Sequence, residues 1–220
     1  MFNNIAHRYD FMNTFMSLGI HHLWRKKAIS LLKNNPQNIL DVATGTADFA
    51  IEALRLNPKK IIGIDISETM LEHGRKKVAK KKLEHIIQLQ QGDSENLPFA
   101  DNTFDAITVG FGVRNFENLE KGLSDMKRVL KTGGSIAILE FSKPTLFPIK
   151  QLYTFYFTKV CPFFGKLFSK DNSAYNYLHE SVNAFPYGNK FTDIMKKCGF
   201  KENTSYSLTF GVASIYIGKK

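Results

Sequence analysis

From residue 38 onward, short apolar runs alternate with stretches whose apolar positions recur every three or four residues. The runs predict strands over residues 38–43, 60–66, 86–92, 104–110 and 134–141, and the helical periodicity predicts helices over 47–56, 67–82 and 118–130. Strands that alternate with helices imply a parallel sheet covered on both faces, with ligands gathered at the carboxyl ends of the strands. Further on, a short helix is expected over residues 188–198. Two strands follow, Lys201–Leu208 and Gly211–Gly218, turning back on each other at Thr209-Phe210. Upstream, Phe2, Ile5, Ala6, Tyr9, Met12, Asn13 and Met16 share one face of a helical segment that runs to Leu32, with a break near Ser17-Leu18-Gly19. That face either packs on the main core or lids a pocket.

One segment breaks the alternation. Phe147, Tyr153, Phe155, Tyr156, Phe157, Phe163, Phe164 and Phe168 are interleaved with Lys150, Lys159 and Lys166, and Pro148 and Pro162 bound the expected helix. A doubly wound sheet needs no such insert. It is a satellite core, a cover for a greasy substrate, or a membrane-facing surface with lysines at headgroup level.

The turn after the first run carries the sharpest chemistry. Asp41-Val42-Ala43-Thr44-Gly45-Thr46-Ala47-Asp48 reads as strand, tight turn and helix. Gly45 permits a positive φ and a close approach of ligand to backbone, and the helix amides favour an anionic group. Asp65, which ends the second run, stands where a nucleotide-binding unit places a carboxylate for ribose hydroxyls. A pyrophosphate fits poorly, because Ala47 replaces the second glycine it needs and Asp41 and Asp48 repel it. S-adenosylmethionine fits better: it has a ribose and an adenine but no phosphate, and its cationic sulfur gains from a carboxylate such as Asp41. The other strand ends are equally polar, with Gly92-Asp93-Ser94-Glu95 after the third, Gly110-Phe111-Gly112-Val113-Arg114-Asn115 after the fourth, and Glu140-Phe141-Ser142-Lys143-Pro144 after the fifth.

Composition narrows the class. The chain has 220 residues, 43% of them hydrophobic, and a net charge of +10 from 30 Lys+Arg against 20 Asp+Glu. Such a length fits one domain with a single sizeable core. The positive excess favours nucleic acid or an anionic membrane surface without choosing between them. The Arg75-Lys76-Lys77 and Lys80-Lys81-Lys82 clusters fall at a helix end, where they complement the dipole. No run reaches the ~18 apolar residues of a membrane span. Met1-Phe2-Asn3-Asn4 lacks the basic and apolar regions of a signal peptide, so a cytoplasmic protein is expected. Cys161 and Cys198 have no metal-like spacing, and no metal is expected.

These residues together resemble the menaquinone and ubiquinone biosynthesis C-methyltransferase family over nearly the whole chain. The resemblance is carried by Phe2–Asp10, Trp24-Arg25, Asp41–Thr46, Asn96–Phe99, Phe111–Asn115, Arg128–Lys131, Leu139–Pro144 and Tyr177–Ser181. The Phe-Gly-x-Arg-Asn and Leu-Glu-Phe-Ser-x-Pro motifs are the most particular to it. It implies an α/β, Rossmann-like class I S-adenosylmethionine-dependent methyltransferase fold with a mostly parallel seven-stranded sheet. Within that single domain, residues 1–33 would form a helical lid, 38–144 the cofactor-binding core, 145–186 a substrate-covering insert and 187–220 the closing helix and hairpin. It implies that Gly45 and Thr46 meet the methionine part of the cofactor, Asp65 the ribose, and Asp93 with Ser94 the adenine edge; Asp41 and Gly110 complete the set. Three positions depart from the family pattern: Ala47 where glycine is usual, tolerable if φ is negative there; Gly110 for a serine that often contacts the cofactor; and Thr132 for a proline.

The implied reaction is methyl transfer to a ring carbon of a prenylated demethylquinol, giving menaquinol in preference to a ubiquinone-pathway benzoquinol. Arg114 is expected to stabilise the quinol oxyanion and Asn115 to orient the ring, with the proton passing to water, Tyr177, Glu180, His179 or Asp10. The structural alternatives are an Arg114–Glu140 pair, and Tyr177 or Glu180 pinning the insert to the sheet. Expected partners are the quinol, membrane lipid in peripheral contact at the inner face of the cytoplasmic membrane, and a second copy in a homodimer; nucleic acid is not expected. Two rivals stand beside this reading. An RNA methyltransferase suits the charge but lacks a basic stripe with stacking aromatics, and a cofactor-binding protein without catalysis suits Ala47 and Gly110.

Overall fold

The computed structural model describes residues 14, 17, 19–33, 35–156, 158 and 173–220. Seven strands, β1 (Asn38–Val42), β2 (Lys60–Asp65), β3 (Ile87–Gln91), β4 (Phe104–Gly110), β5 (Leu130–Phe141), β6 (Lys201–Leu208) and β7 (Ala213–Lys219), form one sheet in the order β3-β2-β1-β4-β5-β7-β6. The first five run parallel, and β7 lies antiparallel between β5 and β6. Chain order reverses between β1 and β4, the switch point at which the βα loops diverge and leave a crevice.

Both faces of the central strands are buried, which is why their sequences read as apolar runs without alternation. On one face, Trp24, Ala28 and Ile29 of α1 (His21–Ser30), Phe49 and Ala50 of α2 (Asp48–Glu52) and Val78 of α3 (Glu68–Lys80) pack against Ile39, Ile61 and Ala137. On the other, Leu123, Met126 and Val129 of α4 (Leu119–Val129) meet Leu40, Val42, Ile107 and Ile136. Among the described residues three further helices follow: α5 (Ile149–Phe155), α6 (Ser173–Ala184) and α7 (Asn189–Lys197), whose Phe191 and Met195 enter the second layer. Two start signals are plain. The Ser67 hydroxyl accepts the Met70 amide at the start of α3, and the Asn118 side chain accepts the Lys121 amide at the start of α4.

Three boundaries differ from expectation. The expected helix over 47–56 is α2 followed by a tighter 3-10 turn, Ala53–Leu56, closed by left-handed Asn57. β5 starts at Leu130, ahead of the Gly133-Gly134 pair, because Leu130 pairs with Phe104 before an irregularity resets the register to Ala106 and Ser135. The closing hairpin turns through three consecutive left-handed residues, Thr209, Phe210 and Gly211 (φ 46, 57 and 98). The apolar face from Phe2 to Met16 and the insert over 159–172 lie outside the described residues.

Candidate functional site

The turn after β1 is built from alternating left-handed residues: Ala43, Gly45 and Ala47 have φ of 52°, 55° and 67°. Ala47 therefore sits in the conformation that the expectation of a negative φ excluded. An L-residue there costs on the order of 1 kcal/mol, which a glycine avoids. The winding turns the Gly45 amide toward Asp65, where it donates to Oδ2 at 2.9 Å, while the Ser67 amide two residues beyond Asp65 donates to Oδ1 at 2.9 Å. Each carboxylate oxygen keeps acceptor capacity for a diol. Burial raises the Asp65 pKa against the pull of these amides.

A cleft of about 330 Å³ opens at this edge of the sheet. Of the expected residues it gathers Gly45, Asp65, Asp93, Ser94, Gly110 and Asn115. It adds Glu95 and Phe111, which the strand-end turns included without a role, and several that sequence reasoning missed, among them Ile66, Met70, Phe116, Glu117 and Lys121. Most of these adjoin residues that were singled out, so the rule that ligands gather at strand ends was the signal available for them. Glu117 and Lys121 sit where the chain enters α4, which no motif marked.

Other expected residues stand away from the cleft wall. Asp41 is fully buried beneath the loop, where the Thr44 and Thr108 hydroxyls donate to its two oxygens at 2.5 and 2.6 Å. It braces the loop from below, and its charge reaches the cleft only through the protein. Burial, partly offset by those hydroxyls, pushes its pKa up to about 6. Thr46 is buried too, its hydroxyl accepting from Lys77 Nζ at 3.1 Å. Asp48 binds Lys77 at 2.6 Å and Arg25 at 3.3 Å, tying α2 to α3 and α1. Although burial opposes ionisation, these cations hold the Asp48 carboxyl below the usual range.

The loop after β4 shows the structural alternative for Arg114. Its guanidinium pairs with the fully buried Glu140 at 2.8 Å, donates to the Phe111 carbonyl and lies over the Phe141 ring. It is not among the residues that line the cleft, and its contacts brace the loop after β4. Burial raises the Glu140 pKa against the pull of Arg114. Asn115 does line the cleft, and its Oδ1 accepts the Tyr177 hydroxyl at 3.0 Å, joining α6 to the cleft wall. Glu180 is exposed on α6. Asp10 and the His179 side chain lie outside the described residues. At Gly110 a Cβ would lie 2.7 Å from the Phe49 ring, so a serine there would require the ring to shift.

The charge of the cleft is opposite to that of the chain. Asp65, Asp93, Glu95 and Glu117 face it, with Lys121 as the one basic residue in its wall among the described residues. A phosphate or nucleic-acid backbone is repelled by such a wall, whereas a sulfonium is drawn in. The exposed side chain of Ile66 beside Asp65 offers a flat apolar surface next to the diol acceptor. The residues present thus suit S-adenosylmethionine. Among the described residues no group of three His, Cys, Asp or Glu is placed to hold a metal.

A family model described as the ubiE/COQ5 methyltransferase family matches residues 1–220. A demethylmenaquinone methyltransferase of Bacteroides fragilis is 52% identical over 222 residues, covering 100% of this chain and 91% of the relative. A ubiquinone/menaquinone biosynthesis C-methyltransferase of Geotalea daltonii is 47% identical over 223 residues, covering 100% and 94%. Among solved structures, a S-adenosylmethionine-dependent methyltransferase of Thermotoga maritima superposes with a TM-score of 0.69 at 21% identity, covering 100% of this chain and 98% of the other. That likeness bears on the fold, which is the class I methyltransferase sheet.

Proposed function

The chain belongs to the ubiE/COQ5 methyltransferase family, and from that premise we propose that it carries the methyl group of S-adenosylmethionine to the unsubstituted ring carbon of demethylmenaquinol, giving menaquinol. The observation that supports the reading best is the acidic cleft at the switch point with a side-chain amide, Asn115, in its wall.

When bound, S-adenosylmethionine supplies an electrophilic methyl group on a cationic sulfur. Asp65, already fixed by the Gly45 and Ser67 amides, accepts the ribose hydroxyls, and Asp93 with Ser94 meets the adenine edge. The carboxylates of the wall favour the cation over the neutral product, which aids release after transfer. Phe111 and Phe116 give the quinol ring apolar walls that keep water from the reacting carbon. The ring becomes a carbon nucleophile when its hydroxyl loses a proton and charge moves onto the neighbouring carbon. Because Tyr177 occupies Asn115 Oδ1, the Nδ2 donors of Asn115 are left for the quinol oxygen that takes up this charge. Arg114 acts through the loop, since the Glu140 pair and the Phe111 carbonyl bond set where Asn115 stands.

Of the expected cover, α1 packs on the sheet, which leaves the rest of residues 1–33 and the insert over 145–186 as the proposed cover of the quinol. No helix among the described residues is long and apolar enough to cross a membrane. Because a prenylated quinol resides among lipid chains, peripheral contact with the bilayer is the proposed route by which it is collected. Since one relative is named for both quinones, a benzoquinol is the second substrate to test. The deciding experiment is the lipid-quinone profile of cells lacking the gene. A menaquinone one methyl lighter should accumulate, a lighter benzoquinone would redirect the assignment, and an unchanged profile would overturn both.

A further inference from the structure

Six of the eight large apolar side chains exposed among the described residues belong to three segments at the carboxyl edge of the sheet: Leu23, Leu146, Phe147, Leu152, Phe155 and Phe210. Hydrogen bonds hold these segments together. Trp24 Nε1 donates to Thr209 Oγ1 at 2.8 Å, which ties α1 to the β6–β7 turn. The Ser142 hydroxyl donates to the Gly211 carbonyl at 2.8 Å and the Ser142 amide to the Val212 carbonyl at 3.0 Å, which tie the same turn to the chain leaving β5. Phe141 pairs with Ala213, so the turn stands on the edge where the cleft opens. At its tip Phe210 is 70% exposed, held out by the left-handed backbone of Thr209, Phe210 and Gly211.

The charge around this patch is one-sided. Residues 19–27, 142–152 and 207–212 contain no Asp or Glu. Leu23 and Phe147 are each followed three residues later by an exposed lysine, Lys26 and Lys150. An apolar tip among cations, with no acid, matches an anionic lipid surface: the rings and aliphatic chains enter the acyl boundary while the ammonium groups stay with the headgroups. A second protein would leave that uniform charge unanswered unless it were itself acidic.

We propose that this edge seats the protein on an anionic bilayer, with Phe210 at the tip of the β6–β7 turn as the inserted anchor beside the mouth of the cleft. The inference rests on the quinol reading above, and it adds the surface that meets the membrane and the lipid charge that the surface selects. A substrate whose tail lies among acyl chains then reaches the cleft without crossing water.

Vesicle co-sedimentation tests it. The protein should pellet with vesicles of phosphatidylglycerol and phosphatidylethanolamine and should stay in solution with phosphatidylcholine alone, with binding that falls as salt rises. Phe210→Ser should weaken binding about tenfold, the effect of withdrawing one large apolar side chain from the acyl boundary. It should keep turnover on a demethylmenaquinol with a truncated, water-soluble tail. Phe210→Trp should retain binding and blue-shift in emission on adding anionic vesicles, against the buried background of the single native Trp24. Equal binding to neutral vesicles, wild-type binding by Phe210→Ser, or an unmoved emission would overturn the anchor. Wild-type protein that binds vesicles yet fails to methylate the truncated quinol would instead overturn the functional reading. Capture of an acidic protein with no affinity for vesicles would replace the bilayer as occupant.

Discussion

The loop after β1 and the loop after β4 stand side by side on the same edge, and each rests on a fully buried carboxylate, Asp41 in one case and Glu140 in the other. Asp41 is met by two neutral hydroxyls, one of them three residues away on its own loop. Glu140 is met by a guanidinium and by the amides of Arg114 and Phe141, across two strands. The first brace leaves a negative charge without a directly bonded cation under a cleft built for a cation. The second cancels its charge and fixes shape. One loop is thus tuned for potential and the other for position, so damage to the first should appear in cofactor affinity and pH response, and damage to the second in folding and turnover.

The largest effect should come from Glu140→Ala, which leaves the Arg114 guanidinium buried without its partner and should cost about 3–5 kcal/mol in denaturant melts. A loss under 1 kcal/mol would mean that the pair braces nothing. Next, Asn115→Ala should lower turnover about 10²-fold with little change in the cofactor Kd. Asp65→Ala should instead weaken the cofactor by about 10–100-fold and spare turnover at saturation. Calorimetry beside methyl-transfer rates separates the two, and equal losses in both quantities for both variants would erase the division of labour.

Asp41 gives a pH signature of similar size. Its folded pKa is raised from 3.8 to about 6, so the folded protein binds the proton more tightly than the unfolded chain. Its contribution to stability is therefore full below pH 3.8 and is lost as pH rises through 6. Between pH 4 and pH 7 that loss should be on the order of 2–3 kcal/mol in wild type relative to Asp41→Asn. Parallel stability curves for the two proteins would show that Asp41 titrates normally. The smallest effect should be Ala47→Gly, which relieves a left-handed alanine and should add about 1 kcal/mol to stability. A decrease would show that the Ala47 methyl group packs better than its backbone conformation costs.

Strands were legible because Ile39 and Ile61 are buried on one face and Leu40 and Ile64 on the other, and apolar runs report that directly. The rim was legible as a set of polar turns, and it brought six of the expected residues to one cleft. Depth and direction were not. Asp41 sits among apolar neighbours on β1, and nothing in the order Ile-Leu-Asp-Val tells a carboxylate under the loop from one beside the ligand. The sign of φ at Ala47 depends on how the loop reaches back to Ile64 and Asp65, a tertiary matter. For Arg114 the sequence held both answers, and only the packing of β4 beside β5 brings Glu140 within reach. The start of β5 was placed late because Thr132-Gly133-Gly134 reads as a turn, while the strand runs through it across a register shift.

The contact of Phe49 with Gly110 binds two positions to each other. A side chain at position 110 would stand 2.7 Å from the Phe49 ring, so a serine fits there only beside a shifted ring or a smaller residue at position 49. The volume of one side chain thus sets the volume the other position can hold.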